Sequence, residues 1–509
     1  MNRICIRHFV LCFIFPVFVL NAEENGVFQY AIPEDEVFLW LPPEAERIEG
    51  ILVAGNTSIE KHVVRDPRVR AVCRQRNLAI VFGMQGLNRF FDQSMLDRLA
   101  EVSGYGELTD APLFFAGHSA GGPQAKEQAA AFGDRTFGLM LSRGGLPDPG
   151  ASFPTLVLAG QFDEFSGVMR EKDGREPAWE DPRDALMRVL EADREIFVSF
   201  AVEAGAGHFG WSPRNAELFA QFLDAAAARD AEAGLAPLPF RGNAIPVPHA
   251  TGWTRQPNRA FAEALTEYHA PLFQERKDQF LRWENRHWVD AGVRHFFHEL
   301  DFTGDGQVFR VNPVFAGRVP GQPNNRGPQW PGAGEEVGNA GGDIHIRMVN
   351  GPAIVEDGHL IRLRHDALNP ANAPPGRITF LAYSEGNGTY RRTELPGMAP
   401  RGFRGPRGAS QSVDFEELPA SWSGREPLPL RARASSGLPV NFYVARGPAV
   451  VRNNHLHVSQ VPGRAANPIE IEVVAYQPGS GAEPRFSPAS GVSHTVRLNP
   501  LDPDLRLTP

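Results

Sequence analysis

Cysteine is nearly absent from this 509-residue sequence: there are three, and Cys5 and Cys12 both fall within the first twenty positions. Cys73 stands alone beyond them, so no internal disulfide can hold the remainder together. It lies in VRAVCRQRN, an amphipathic helical pattern, and reads as a small core residue rather than a reactive thiol. Long apolar runs are missing as well. Phe9–Leu20 is apolar over twelve residues, short of the roughly 20 that a membrane-crossing helix needs, and no later stretch is apolar enough. Arg3 and Arg7 precede this run and Ala22 follows it, so residues 1–22 read as a signal peptide. The expectation is a secreted or periplasmic protein with no membrane span once that peptide is removed. Cys12 lacks the neighbouring small residues of a lipoprotein cleavage site. Positive charge is not in excess either: the formal net charge is −9, or −11 without residues 1–22, which gives no bias toward nucleic acid or anionic membranes.

What is present divides the chain in two. It is 42% hydrophobic and 22% charged, enough for ordinary cores, while its 51 Gly and 44 Pro gather in the second half. Between Phe38 and Asp224, apolar runs (GILVAG, LAIVFG, APLFFAG, FGLMLSRG, TLVLAG, IFVSFAVEAG) alternate with helical patterns. Continuous rather than alternating Val/Ile/Leu/Phe predicts strands buried on both faces, hence an α/β domain whose mostly parallel sheet is flanked by helices, over 23–240. Residues 241–300 read as a helical connector. Beyond it, Gly and Pro break the chain into short strands. GPAIVEDGHLI (351–361) recurs as GPAVVRNNHLH (447–457) at an offset of 96, and Ala382-Tyr383 recurs as Ala475-Tyr476. Two β-sandwich modules of immunoglobulin-like size are therefore expected, over 301–410 and 411–509.

The chemistry concentrates in the first half. Gly117-His118-Ser119-Ala120-Gly121 follows an expected strand and precedes an expected helix. Small residues two positions either side of Ser119 permit the sharp turn that lifts its hydroxyl above a sheet. A serine hydroxyl is a weak nucleophile and needs a base, itself oriented by a carboxylate. Asp163 stands just past the run TLVLAG, with Glu164 as the neighbouring alternative, and His208 stands in a Gly-rich loop past IFVSFAVEAG. Ser119 as nucleophile, Asp163 as acid and His208 as base is the expected catalytic set. The amide of Ala120 and that of Asn56 or Thr57, after GILVAG, are the expected oxyanion donors. No cofactor is implied. DFTGDG (301–306) begins like a calcium loop but has Asn312 where the twelfth-position acid belongs, so it reads as a tight turn. His287, His295 and His298 are not spaced as metal ligands, and no metal site is expected. Trp253, Trp283, Trp288 and Trp330 read as packing residues rather than sugar-stacking ones.

These residues resemble the α/β-hydrolase superfamily. GMQGLNRFFDQSMLDRLAEVSG, GHSAGG, SSGLPVNFYVARGPAVV and IEVVAYQPG are also similar to exported hydrolases of planctomycete and verrucomicrobial bacteria, in which such a domain precedes C-terminal immunoglobulin-like β domains. The resemblance implies architecture and export more than substrate. The expected activity is that of a serine carboxylic-ester hydrolase. Only about ten residues (145–154) separate FGLMLSRG from the acid-bearing run TLVLAG, which leaves no room for a large lid there, while the polar stretch 166–184 is placed to wall the cleft. An open cleft, export and appended β modules together suggest acyl groups on polysaccharide or another bulky substrate. A serine peptidase, or an inactive protein that binds glycan or a surface, are the alternatives.

Overall fold

A computed structural model describes residues 26–499, except 162, 164–179, 194–195, 229–236, 239–253, 285–296, 298, 321–332, 374–376 and 401. The expected signal peptide, Glu164, three of the four tryptophans discussed above (253, 288 and 330) and the three histidines (287, 295 and 298) lie outside the described residues, as does most of 166–184.

The apolar runs pair into one sheet of eight strands. These are β1 Tyr30–Ile32, β2 Val37–Trp40, β3 Gly50–Gly55, β4 Leu78–Gly83, β5 Leu113–His118, β6 Thr136–Ser142, β7 Thr155–Gly160 and β8 Val198–Glu203. Their spatial order is β1-β2-β4-β3-β5-β6-β7-β8. β2 runs antiparallel to both neighbours, and every pairing from β4 to β8 is parallel. Every residue of β3, β4, β5, β7 and β8 is buried. A strand with no solvent face has no use for polar alternation, which explains the continuous runs. The sheet is α/β-hydrolase-like, and its parallel strands deliver the loops after β3, β5, β7 and β8 to the same edge.

Helices begin where the sequence supplies caps. Asp66 accepts from the Arg68 amide ahead of Pro67–Gln75, Asp92 from Met95 ahead of Gln93–Ser103, and Ser212 from Asn215 ahead of Pro213–Ala227; each such cap stabilises its helix by about 1 kcal/mol. Cys73 is fully buried in the first of these, and burial pushes its thiol up to about 12. No helix among the described residues is long and apolar enough to cross a membrane.

The helical reading of 241–300 needs correction. Its described part forms one helix, Arg259–His269, capped by Asn258. Residues Leu281–Trp283 are instead a strand, paired antiparallel with Pro313–Phe315. Leu281 and Trp283 are buried while Arg282 is exposed, a period of two that a helix cannot use. Trp283 packs edge-on against Phe297 and Phe380 and donates its indole N–H to the Pro396 carbonyl.

Beyond residue 300 the strands form separate, mostly antiparallel sheets, and the two halves of the sequence repeat fold alike. His345–Asn350 pairs with Thr379–Ser384, and 96 residues later Asn441–Arg446 pairs with Ile469–Tyr476. Both pairings carry an irregularity at the same place, between Met348 and Asn350 and between Val444 and Arg446. Each is followed by a hairpin, Ala353–Asp357 with Leu360–Leu363 and Ala449–Arg452 with His455–Val458. Gly351 and Gly447 open these hairpins at φ 100 and 108, which is why the Gly-Pro pair recurs. Asp305, in the calcium-like stretch, is taken up by an ion pair with Arg362 at 2.6 Å.

Both β units are packed onto the sheet rather than hung from it. The core on one sheet face continues into Leu456, Val461, Ala465 and Ile469 of the second unit. On the other face it continues into Val349, Ala367, Leu368 and Leu381 of the first.

Candidate active site

Three loops of the sheet edge bring the expected nucleophile, base and acid together. Ser119 follows β5 with φ 50, the left-handed conformation that β-carbon sterics disfavour. The turn survives because its neighbours lack side chains: a Cβ on Gly117 would lie 2.3 Å from the Gly121 carbonyl oxygen, and one on Gly122 would lie 2.0 Å from that of Gly144. The Ser119 amide donates to Ser142 at 2.9 Å and its carbonyl accepts from Gly122 at 3.0 Å, fixing both ends of the turn.

The Ser119 hydroxyl lies 2.9 Å from His208 Nε2. On the other side of the ring, Nδ1 lies 2.9 and 3.1 Å from the two oxygens of Asp163. A carboxylate only accepts, so Nδ1 carries the proton and Nε2 is left to accept from the serine. His208 and Asp163 are each 5% exposed, so this chain of hydrogen bonds is held away from bulk water.

The oxyanion pair is only half available. Asn56 donates its amide to the carbonyls of Gly83 (2.9 Å) and Gln85 (3.1 Å), and Thr57 donates its own to Glu60 Oε2 at 3.1 Å. Neither amide is free to meet a developing charge, which corrects the expected role of Asn56. The cause is the close approach of the loop after β4, where Leu87 N stands 2.7 Å from the Cβ position of Gly55. The Ala120 amide, at the head of the helix Gly121–Phe132, makes no hydrogen bond among the described residues.

Two buried polar networks around the site were not anticipated. Glu60, fully buried, accepts from the amides of Thr57, Ser58 and His118 and from the Thr57 hydroxyl, tying the β3 loop to the Ser119 turn. Burial raises its carboxyl pKa despite these donors. His118 Nε2 lies 2.8 Å from the His208 carbonyl oxygen and must donate to it, so Nδ1 accepts from the Ser58 hydroxyl at 2.7 Å. Burial, with His208 and Arg143 nearby, pushes the His118 pKa well down, so its ring is a neutral strut beneath His208.

The second network surrounds the His208 loop. Arg143, at φ 49 just past β6, donates to the carbonyls of Gly207 (2.7 Å) and Gly210 (3.0 Å) and to Glu203 (2.9 Å). Burial alone would raise the Glu203 carboxyl, but Arg392 and Arg143 beside it hold it below its ordinary value. A sequence signal did exist here: Arg143 and Glu203 are charges set at the ends of runs that otherwise read as fully buried strands. Arg392, the second cation facing Glu203 and about 190 residues later in the chain, left no such mark.

No family model and no curated protein matches the chain. Among solved structures it is similar to an S-formylglutathione hydrolase from Agrobacterium tumefaciens, at 14% identity over 38% of this chain and 89% of that one, with a TM-score of 0.28. An esterase domain from Rhodothermus marinus aligns at 16% identity over 38% and 92%, TM-score 0.26. A poly(3-hydroxybutyrate) depolymerase from Bordetella parapertussis aligns at 15% over 40% and 91%, TM-score 0.25. Likenesses at this level bear on neither activity nor substrate.

Proposed function

We propose that this chain is an exported serine hydrolase that cleaves carboxylic esters through an acyl-enzyme. The observation that supports the reading is the unbroken hydrogen-bond chain from Ser119 through His208 to Asp163. Ser119 Oγ gives its proton to His208 Nε2 and bonds to the ester carbonyl carbon. The carbonyl oxygen becomes an oxyanion facing the Ala120 amide, a donor of a kind typically worth about 3 kcal/mol of transition-state stabilisation. His208 then protonates the leaving alcohol, whose bond to the acyl carbon breaks. A water gives its proton to His208 and attacks the acyl-serine, releasing the acid and restoring Ser119. Asp163 keeps the imidazole in the tautomer these steps require.

The substrate is proposed to be an acyl group carried on polysaccharide or a comparably bulky alcohol. In support, residues 143–154, between β6 and β7, carry no helix to serve as a lid. Export is supported by the short apolar leader, and the two β units are read as immunoglobulin-like sandwiches beside the catalytic domain.

The test is turnover of short p-nitrophenyl esters by wild type and Ser119→Ala, with fluorophosphonate labelling in parallel. Wild-type turnover, label on Ser119, and a loss of about 10⁴-fold or more in the variant are expected. A wild type that neither turns over nor labels sinks the reading. Acetylated xylan and long-chain triglyceride then separate substrate classes, and hydrolysis of the lipid alone would exclude the carbohydrate assignment.

A further inference from the structure

The loop that carries His208 is held from two sides, and one of those sides is not part of the hydrolase sheet. Gly207, the residue before His208, has both polar backbone atoms engaged. Arg143 Nε holds its carbonyl at 2.7 Å, from the end of β6. Glu394 Oε2 accepts its amide at 3.1 Å, from the strand Thr393–Met398 of the first β unit. The Glu394 side chain is 0% exposed, and Arg392 pairs with its other oxygen at 2.5 Å while also facing Glu203 at 3.6 Å. Two arginines and two glutamates thus alternate beneath the loop, so no buried charge is left unbalanced. The fit is close: a Cβ on Gly205 would lie 1.9 Å from the Arg392 carbonyl oxygen, and one on Gly210 would lie 2.7 Å from Glu394 Oε2.

We infer that Glu394 is a positioning residue for His208, so that the first β unit completes the active site instead of serving only as a spacer or binding module. This rests on the hydrolase reading above. Glu394 touches no reacting atom. It fixes the peptide that sets where the imidazole stands, with one carboxylate oxygen on the Gly207 amide and the other committed to Arg392. Because catalytic rate falls by about 10²-fold for a displacement on the order of 1 Å, a carboxylate one methylene too short at this place costs turnover even when the fold survives.

Two variants of the full chain separate reach from charge. Glu394→Gln keeps the side-chain length and the accepting oxygen but loses the charge. Glu394→Asp keeps the charge and draws the oxygen back from Gly207. With p-nitrophenyl butyrate as substrate, Glu394→Asp is expected to lower kcat by about 10- to 100-fold with KM within about twofold, and to slow fluorophosphonate labelling by the same factor. Glu394→Gln is expected to keep most of kcat even if it unfolds at a lower urea concentration. Wild-type kcat in Glu394→Asp overturns the inference, as does a pattern in which Gln is impaired and Asp is not, since that makes charge balance the whole role. Either result alongside Ser119-dependent wild-type turnover leaves the hydrolase reading standing. A silent, unlabelled wild type overturns both.

Discussion

The two copies of the β repeat share a backbone and differ in what their matching faces carry. In the first, Arg347 and Arg392 lie over the Tyr383 ring at 4.6 and 5.4 Å, and Glu394 stands opposite Tyr383 in register. Arg347 donates to the Trp211 carbonyl, so this face meets the His208 loop with charge. In the second copy the position matching Arg347 is Tyr443, Tyr476 matches Tyr383, and Gly491 falls where Glu394 stands. The tyrosine rings pack 5.6 Å apart, and their hydroxyls accept from the amides of Ala371 (3.2 Å) and His365 (3.1 Å) of the first unit. Gly491 exchanges two hydrogen bonds with Asn372. One face of one scaffold is thus used twice, to seat the second unit on the first and the first on the His208 loop. A neutral face suffices to hold two rigid bodies together. The buried glycines of the His208 loop have no side chains to anchor them, so their amides and carbonyls are held by Arg143 and Glu394 reaching in from outside the loop.

The comparison breaks most readily at Arg392. Its removal leaves Glu394 buried without its ion pair and Glu203 with Arg143 alone, so Arg392→Ala is expected to cost about 3–5 kcal/mol of stability and to lower kcat. Burial alone would weaken the charge on Arg392, yet Glu394, Glu203 and Glu385 hold its pKa above the ordinary value. Urea denaturation and ester turnover on the same preparation check both effects. If stability falls and kcat does not, the two faces are equivalent struts and the distinction fails. Tyr443→Phe sharpens it from the other side. Losing the hydrogen bond to Ala371 should cost about 1 kcal/mol in the same denaturation, with kcat and KM at wild-type values. A drop in kcat there would mean that the second unit, too, acts on the His208 loop.

The two regions were also unequally legible in the sequence. Continuous apolar runs, a small-residue turn around Ser119 and the order serine, aspartate, histidine are local signals, and each maps onto one strand end. The repeat was legible because a Gly-Pro hairpin opening needs a left-handed glycine at a fixed place. Asn56 misled because the fate of its amide is decided by the loop after β4, some 27 residues away. The stretch around Leu281 misled because Phe280, Leu281 and Trp283 set among charges fit a helix as readily as a strand, until a partner strand selects the period. Arg143 and Glu203 were visible as charges at strand ends, but their meaning lay in Arg392 and Glu394. Glu394 stands in a β strand whose local pattern is ordinary and Arg392 just before it, and only tertiary packing sets them under the loop.

The smallest expected effect concerns the contact of the first unit with the eight-stranded domain away from the His208 loop. Asp366 binds the Arg65 guanidinium through both oxygens, at 3.0 and 3.1 Å, and also accepts from the Leu368 amide at 2.8 Å. Burial would raise its carboxyl, but Arg65, then Lys61 and Leu368, bring it from 3.8 down to about 2. A carboxyl whose pKa is lowered by folding stabilises the fold at pH values above its unfolded pKa, and that contribution is lost as pH falls through the folded one. The side chain is 38% exposed, so solvent screening keeps the contribution small. The urea midpoint of Asp366→Asn should therefore sit slightly below that of wild type at neutral pH. The gap should begin to close as pH drops past 3.8 and vanish near 2. A gap that persists unchanged at the acid end would mean that Asp366 acts through the shape of its turn, through the Leu368 amide, and not through its charge on Arg65. The charged contact of the first β unit would then matter at the His208 loop rather than at Arg65, and the contrast between the two faces would be sharper still.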